Sequence, residues 1–325
     1  MKSILQAILS LTITSHCFAA TSTFITGNVF WAPSLASSNP PVNSQQRILE
    51  VGAGGNFLTA TPFGLAPDRV YGQFAFESDL TLAYIPSFFI NRILTLTPEG
   101  VVNGTPFATG INRPTGLLEI RTGVLAGHLL CGSFGQDRIL DITAGGDFSA
   151  ASSFATGTPS VRNLVELSNG TILAATSNGV RNITAGGLST SFATGFSGRD
   201  ILQAPDGRVF VTTSTGFVFD ISGGGSFSAA TPFATGKVFS GLAINDAGRL
   251  LASVSDSGTS LSEIYDITTG GNFSAATAFA TNLPGQSETA LDTVPIPEPS
   301  SAILILCGAA PCLHRRSRQA NVRNA

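Results

Sequence analysis

The chain has 325 residues, 43% of them hydrophobic and only 11% charged, with a formal net charge of -3. Charged residues make up about 25% of an ordinary globular chain. A surface of salt-bridged helices is therefore excluded, and Ser, Thr, Gly, Asn and Ala must form much of the exterior. The charge balance gives no footing for nucleic-acid binding. The length suits one large all-β domain with an ample core.

The chain opens with MKSILQAILSLTITSHCFAA. A lysine, a short apolar run and small residues around Ala19-Ala20 form the pattern of a secretory signal peptide over residues 1–20. Of the four cysteines, Cys17 falls in that segment and Cys307 and Cys312 near the C-terminus. Residues 21–293 thus keep Cys131 alone, which excludes a disulfide framework and predicts a small buried hydrophobe.

A repeat runs through those residues. Its fullest copies read GGDFSAASSFATG (145–157), GGSFSAATPFATG (224–236) and GGNFSAATAFATN (270–282). The second phenylalanine recurs at Phe63, Phe107, Phe154, Phe192, Phe233 and Phe279, a spacing in the range of propeller blades, about 40 to 50 residues. From residue 161 one unit divides into VRNLVEL, TILAAT, VRNIT and LSTSFATG, with Asn169-Gly170 at the first turn and Asp206-Gly207 at the same place in the next unit. Such dipeptides suit hairpins because the turn needs positive φ. Four short antiparallel strands per unit is the pattern of a β-propeller blade. The recurrent phenylalanines are expected to pack between sheets, the paired glycines to form turns, and a segment near 286–293 to close the ring with the N-terminal blade.

The segments GLAINDAGRLLASV (241–254) and EIYDIT (263–268) resemble the NHL-type and gluconolactonase-like propellers over roughly residues 24–293. The resemblance implies an all-β, six-bladed propeller of four-stranded blades. In the gluconolactonase-like enzymes it also implies a divalent metal on the axis, held by carboxylate and amide side chains.

The residues themselves carry little sign of such chemistry. Asp141, Asp220 and Asp266 recur at one place in three repeats, with Glu50 and Asn182 in two others, and are expected to satisfy backbone donors of the turns that follow. His128 is the one histidine between residues 21 and 293, too little for a triad or a histidine metal site. Gly223–Gly225 precedes no helix that would bind phosphate. No catalytic residue, metal or cofactor is expected on this basis. The cations are patterned: Arg69, Arg113, Arg162, Arg199 and Lys237 lie where the chain crosses between blades, and Arg47, Arg92 and Arg138 open third strands. They suggest a cationic funnel for an anionic ligand such as an acidic polysaccharide, partly cancelled by Asp68 and Asp200. The plainer alternative is that they cover blade tops and bind backbone carbonyls.

At Val294 the composition changes. Pro297-Glu298-Pro299, an apolar run over Ala302–Leu313, and Arg315, Arg316 and Arg318 follow in order. The run is too short for an ordinary membrane helix of about 20 residues, and the arginines fit a positive-inside flank. The three parts over residues 294–319 resemble the PEP-CTERM sorting signal of exported bacterial proteins, with residues 320–325 as a disordered end. The resemblance implies an exosortase-type sorting enzyme as partner besides signal peptidase, and an anchored intermediate released to the surface or the extracellular space. The expectation is a non-enzymatic binding or structural propeller of the envelope or extracellular matrix, with exopolysaccharide as a candidate partner and a metal-dependent lactonase-like hydrolase as the alternative.

Overall fold

The computed structural model describes residues 22–32, 46–66, 70–255, 261–284 and 290–295. The proposed signal peptide and sorting tail, with all six sorting-motif residues, lie outside them. Among the described residues no helix is long and apolar enough to cross a membrane.

Six sheets form six blades. The fourth shows how sequence becomes blade: its strands are Asn163–Glu166, Ile172–Thr176, Gly179–Asn182 and Thr190–Thr194, each antiparallel to the next. Gly170 turns the first corner at φ +80. The second strand is buried throughout. The first strands of the other blades are Ala75–Phe76, Pro114–Glu119, Gly198–Gln203 and Phe239–Ile244, while the first blade takes Ala290–Thr293 from the far end of the chain. That last strand pairs antiparallel with Val29–Ala32, so the ring closes as expected.

Five of these sheets have a fifth strand that the repeat pattern did not reveal. The paired-glycine segment of five units adds a two-residue parallel strand to the outer edge of the blade before it. Gly146–Asp147 illustrates this: the Gly146 amide donates to the Phe107 carbonyl at 2.9 Å and the Phe148 amide to Thr109 at 2.9 Å. The paired glycines thus do more than turn the chain. Gly145 and Gly146 have φ of +63 and +96, and a Cβ on Gly145 would sit 2.9 Å from the Phe107 carbonyl oxygen. The strap covers edge groups that would otherwise stay open.

Between the blades lie six hydrophobic clusters, and each takes in one of the six recurrent phenylalanines. One example packs Leu173 and Val180 of the fourth blade against Val211 and Phe219 of the fifth, with Phe192 at its edge. The repeat therefore encodes the layers between blades as well as the blades. Cys131 lies in one such layer, fully buried, and burial pushes its thiol up. Asp141, Asp220, Asp266 and Asn182 each accept from the amide two residues on, at 3.0 to 3.1 Å, as the turn assignment requires.

Candidate functional site

Strand pairing puts the inner strands in register. Leu164 faces Ala174, Ile201 faces Val211, Leu117 faces Cys131 and Leu242 faces Ala252, each on the neighbouring strand. The residues just before them, Gly116, Asn163, Asp200 and Gly241, therefore occupy one level around the axis. Ala75 faces Tyr84, which places Gln73 at that level in the second blade. One residue earlier stand Gly72, Thr115, Arg162, Arg199 and Ser240. Register shifts between Gly198 and Ile201 and between Phe239 and Leu242 bulge two of these strands, a device that re-aims side chains.

From these two levels Gly72, Gln73, Arg162, Asn163, Arg199, Asp200 and Ser240 line a small cavity of about 40 Å³, together with Tyr71 and with Leu291 and Asp292 of the closing strand. That is space for one or a few waters, or for one small polar group of a larger molecule. Side chains tie the level together across blades. The Asn163 side-chain amide donates to Asp200 Oδ1, and Gln73 Oε1 accepts from the Leu164 amide across the ring at 3.2 Å.

Two carboxyl groups are buried here, each 8% exposed. Asp200 Oδ1 accepts from the Ile201 amide at 2.7 Å, and its Oδ2 accepts from the Leu242 amide of the sixth blade at 2.5 Å. Burial pushes Asp200 up to about 7, against the pull of those two amides. Asp292 Oδ2 accepts from the Phe74 amide at 3.0 Å, its one hydrogen bond among the described residues. Burial, and then the nearby Asp200 charge, hold Asp292 well above the ordinary carboxylate range. Asn163 Oδ1 is buried without a hydrogen-bond partner among the described residues.

Of the five funnel cations, two converge. Arg162 and Arg199 line the cavity, and desolvation lowers both, with Arg162 adding to the effect on Arg199. The Arg162 guanidinium also lies 5.3 Å from the centre of the Phe134 ring. Arg113 is exposed and sits 5.6 Å over Phe88. Lys237 lies 5.0 Å over the Tyr265 ring, whose hydroxyl donates to Glu263. Neither lines the cavity, and Arg69 is outside the described residues. Arg92 and Arg138 open third strands, away from the axis, and Arg138 binds the Ala151 carbonyl. For Arg138 the plainer alternative holds. The sequence reading missed Gln73, Asn163 and Asp292, and it took Asp200 only as a charge that cancels Arg199. Aligning the inner strands one against another is the signal that finds the first two.

The divalent ion implied by the resemblance does not fit this donor set. Hard cations need several oxygens converging on one point. Both Asp200 oxygens are engaged by amides, two guanidinium side chains line the same cavity, and no group of three or more His, Cys, Asp or Glu converges among the described residues.

No family model matches the chain, and no curated protein matches its sequence. Its shape is matched by many solved structures. One belongs to a nidogen/laminin complex, at 11% identity and TM-score 0.54, covering 82% of this chain and 98% of that one. A gluconolactonase from Xanthomonas campestris matches at 11% identity and TM-score 0.49, over 82% of this chain and 90% of its own. A streptogramin B lyase matches at 17% identity and TM-score 0.43, over 70% of each chain. At these identities the likeness is one of fold. The expectation of a non-enzymatic propeller is corrected at this point, since the solved structures that share the fold include a lyase and a gluconolactonase. The body of the chain is a six-bladed β-propeller.

Proposed function

We propose that the chain is an exported propeller enzyme that hydrolyses a small ester or lactone in its axial cavity, by proton transfer through Asp292. The observation that carries this reading is the meeting of two buried carboxyl groups, from the closing and fifth-blade strands, in one solvent-open polar cavity. In a chain with so few charges, such placement is expensive to keep for packing alone. Asp200 has both oxygens engaged by backbone amides and acts as a positioning residue. Asp292 has one oxygen without a hydrogen-bond partner among the described residues. A carboxylate with a raised pKa is a stronger base than an ordinary one, and its conjugate acid suits work near neutral pH. Asp292 takes a proton from water while the hydroxide adds to the carbonyl carbon. The carbon–oxygen bond to the leaving alkoxide then breaks, and Asp292 returns the proton to that oxygen. The products are a carboxylic acid and an alcohol. Asn163 Oδ1 is the acceptor left to orient the water.

The test is turnover of a panel of esters and lactones by the full chain. Asp292→Asn is expected to lower kcat by at least about 100-fold, in line with the usual worth of a general base, while circular dichroism stays native. A native protein inert to the whole panel, or an Asp292→Asn variant of undiminished rate, sinks the reading.

Export and sorting belong to the same proposal and rest on the two terminal segments. Intact mass of material from the producing cells is expected to show loss of residues 1–20, and loss of the chain beyond about Pro299 outside the cell. A full-length tail confined to membranes overturns the sorting role.

A further inference from the structure

We propose that Arg162 and Arg199 make the axial cavity an oxyanion site, which receives a carboxylate or phosphate group of the substrate rather than a divalent cation. The inference rests on the axial cavity being the working site, and it adds the chemical class of what enters. It stands on placement. The two arginines occupy the same position in consecutive blades, at the level where the second, third and sixth blades have Gly72, Thr115 and Ser240. Small residues on one side and two long cations on the other leave the cavity open yet one-sided in charge donors. The register shift between Gly198 and Ile201 spans Arg199 and Asp200, and both line the cavity.

The chemistry favours an anion with several oxygens. A guanidinium presents a planar fork of N–H donors that matches a carboxylate or phosphate edge, and the pairing strengthens where water is excluded. Two guanidinium groups close enough to perturb one another repel, and an anion placed between them relieves that repulsion. The Phe134 ring lies against Arg162, and Tyr71, which also lines the cavity, packs at a tilt against Phe88 with ring centres 4.6 Å apart. This aromatic bank holds the cationic wall in place. A cavity of about 40 Å³ holds one carboxylate or phosphate group, so the ester or lactone carbonyl lies at its mouth beside Asp292 and the rest of the substrate extends outwards.

The experiment is titration of the full chain with inorganic phosphate, with oxalate and with calcium chloride, followed by calorimetry and by Tm. One saturable site for phosphate or oxalate is expected, and the stronger of the two names the natural group. Arg162→Ala and Arg199→Ala are each expected to weaken it at least tenfold, while Arg113→Ala leaves it unchanged. Arg199→Lys, which keeps charge but loses the fork, should fall between. No saturable anion binding overturns the inference. So does equal loss in Arg113→Ala, which would mean diffuse surface charge, or one-to-one calcium binding lost in Asp292→Asn. Binding without turnover would remove the hydrolase reading and leave the anion site. Turnover without anion binding would do the reverse.

Discussion

Raising the pH from 5 to 8 is expected to lower the stability of this propeller. The cause is the axial acid pair. An aspartate titrates near 3.8 when free, and in the folded chain Asp200 is pushed up to about 7 and Asp292 well above its ordinary value. Between those two values the folded state holds protons that the unfolded chain has released, so stability falls as pH rises. The contribution is complete below about pH 4 and is lost through about pH 7. At about 1.4 kcal/mol per pH unit, Asp200 alone accounts for up to about 4 kcal/mol. The groups facing the pair are Tyr71, Arg162 and Arg199. Glu119, half-buried and raised by burial, adds in the same direction. Asp79, Asp141 and Asp206 are lowered and work the other way, but only below about pH 4, so they do not mask the effect. The urea midpoint should therefore peak near pH 5. In Asp292→Asn one of the two burdens is gone while the burial of Asp200 remains, so the decline to pH 8 should shrink but persist. A midpoint that is flat or rises from pH 5 to 8 would refute this account of the pair.

The sequence carried the architecture further than it carried the site, and the reason is physical. A blade is local. Its turns, its buried second strand and the phenylalanine that fills each layer all recur within one unit, so comparing units exposes them. The axial cavity is assembled from a few residues of each of five blades, as far apart in the chain as Tyr71 and Asp292. No local period marks it. Cations were legible as a series, but spacing alone treated Arg113 and Arg162 as equivalents. Strand pairing shows that Thr115 is the partner of Arg162, with Arg113 two residues outside the level. The paired-glycine straps were hidden for a related reason: they pair with the blade before their own, and a unit read by itself shows only a turn.

Replacing Gly54 by alanine is expected to weaken the ring at the seam between its first and last units. Gly54 has φ +71, and a Cβ there would lie 2.6 Å from the Phe279 carbonyl oxygen and 3.0 Å from its ring. That carbonyl accepts from the Gly55 amide at 2.9 Å, and the Thr281 carbonyl accepts from the Phe57 amide at 3.0 Å. These bonds attach the strap at Gly55–Asn56 to the sixth blade at Ala280–Thr281. With the pairing of Val29–Ala32 and Ala290–Thr293 they are the two strand seams that join the ends of the chain. The left-handed backbone costs alanine about 1 kcal/mol. The clash must move a backbone carbonyl, which brings the expected loss to about 3 kcal/mol. Two comparisons isolate the seam. Gly187 has φ +64 with nothing within 4 Å, so Gly187→Ala should show the backbone cost alone. Gly104 has neither constraint, and Gly104→Ala should be neutral. Urea unfolding of the three variants decides the matter. If Gly54→Ala loses no more than Gly187→Ala, the parallel strap adds nothing to closure, and the ring is held by its antiparallel seam and its hydrophobic layers. The larger loss makes the strap a structural lock, formed last because it joins residues more than 200 positions apart and so bears the full entropy of closing the chain.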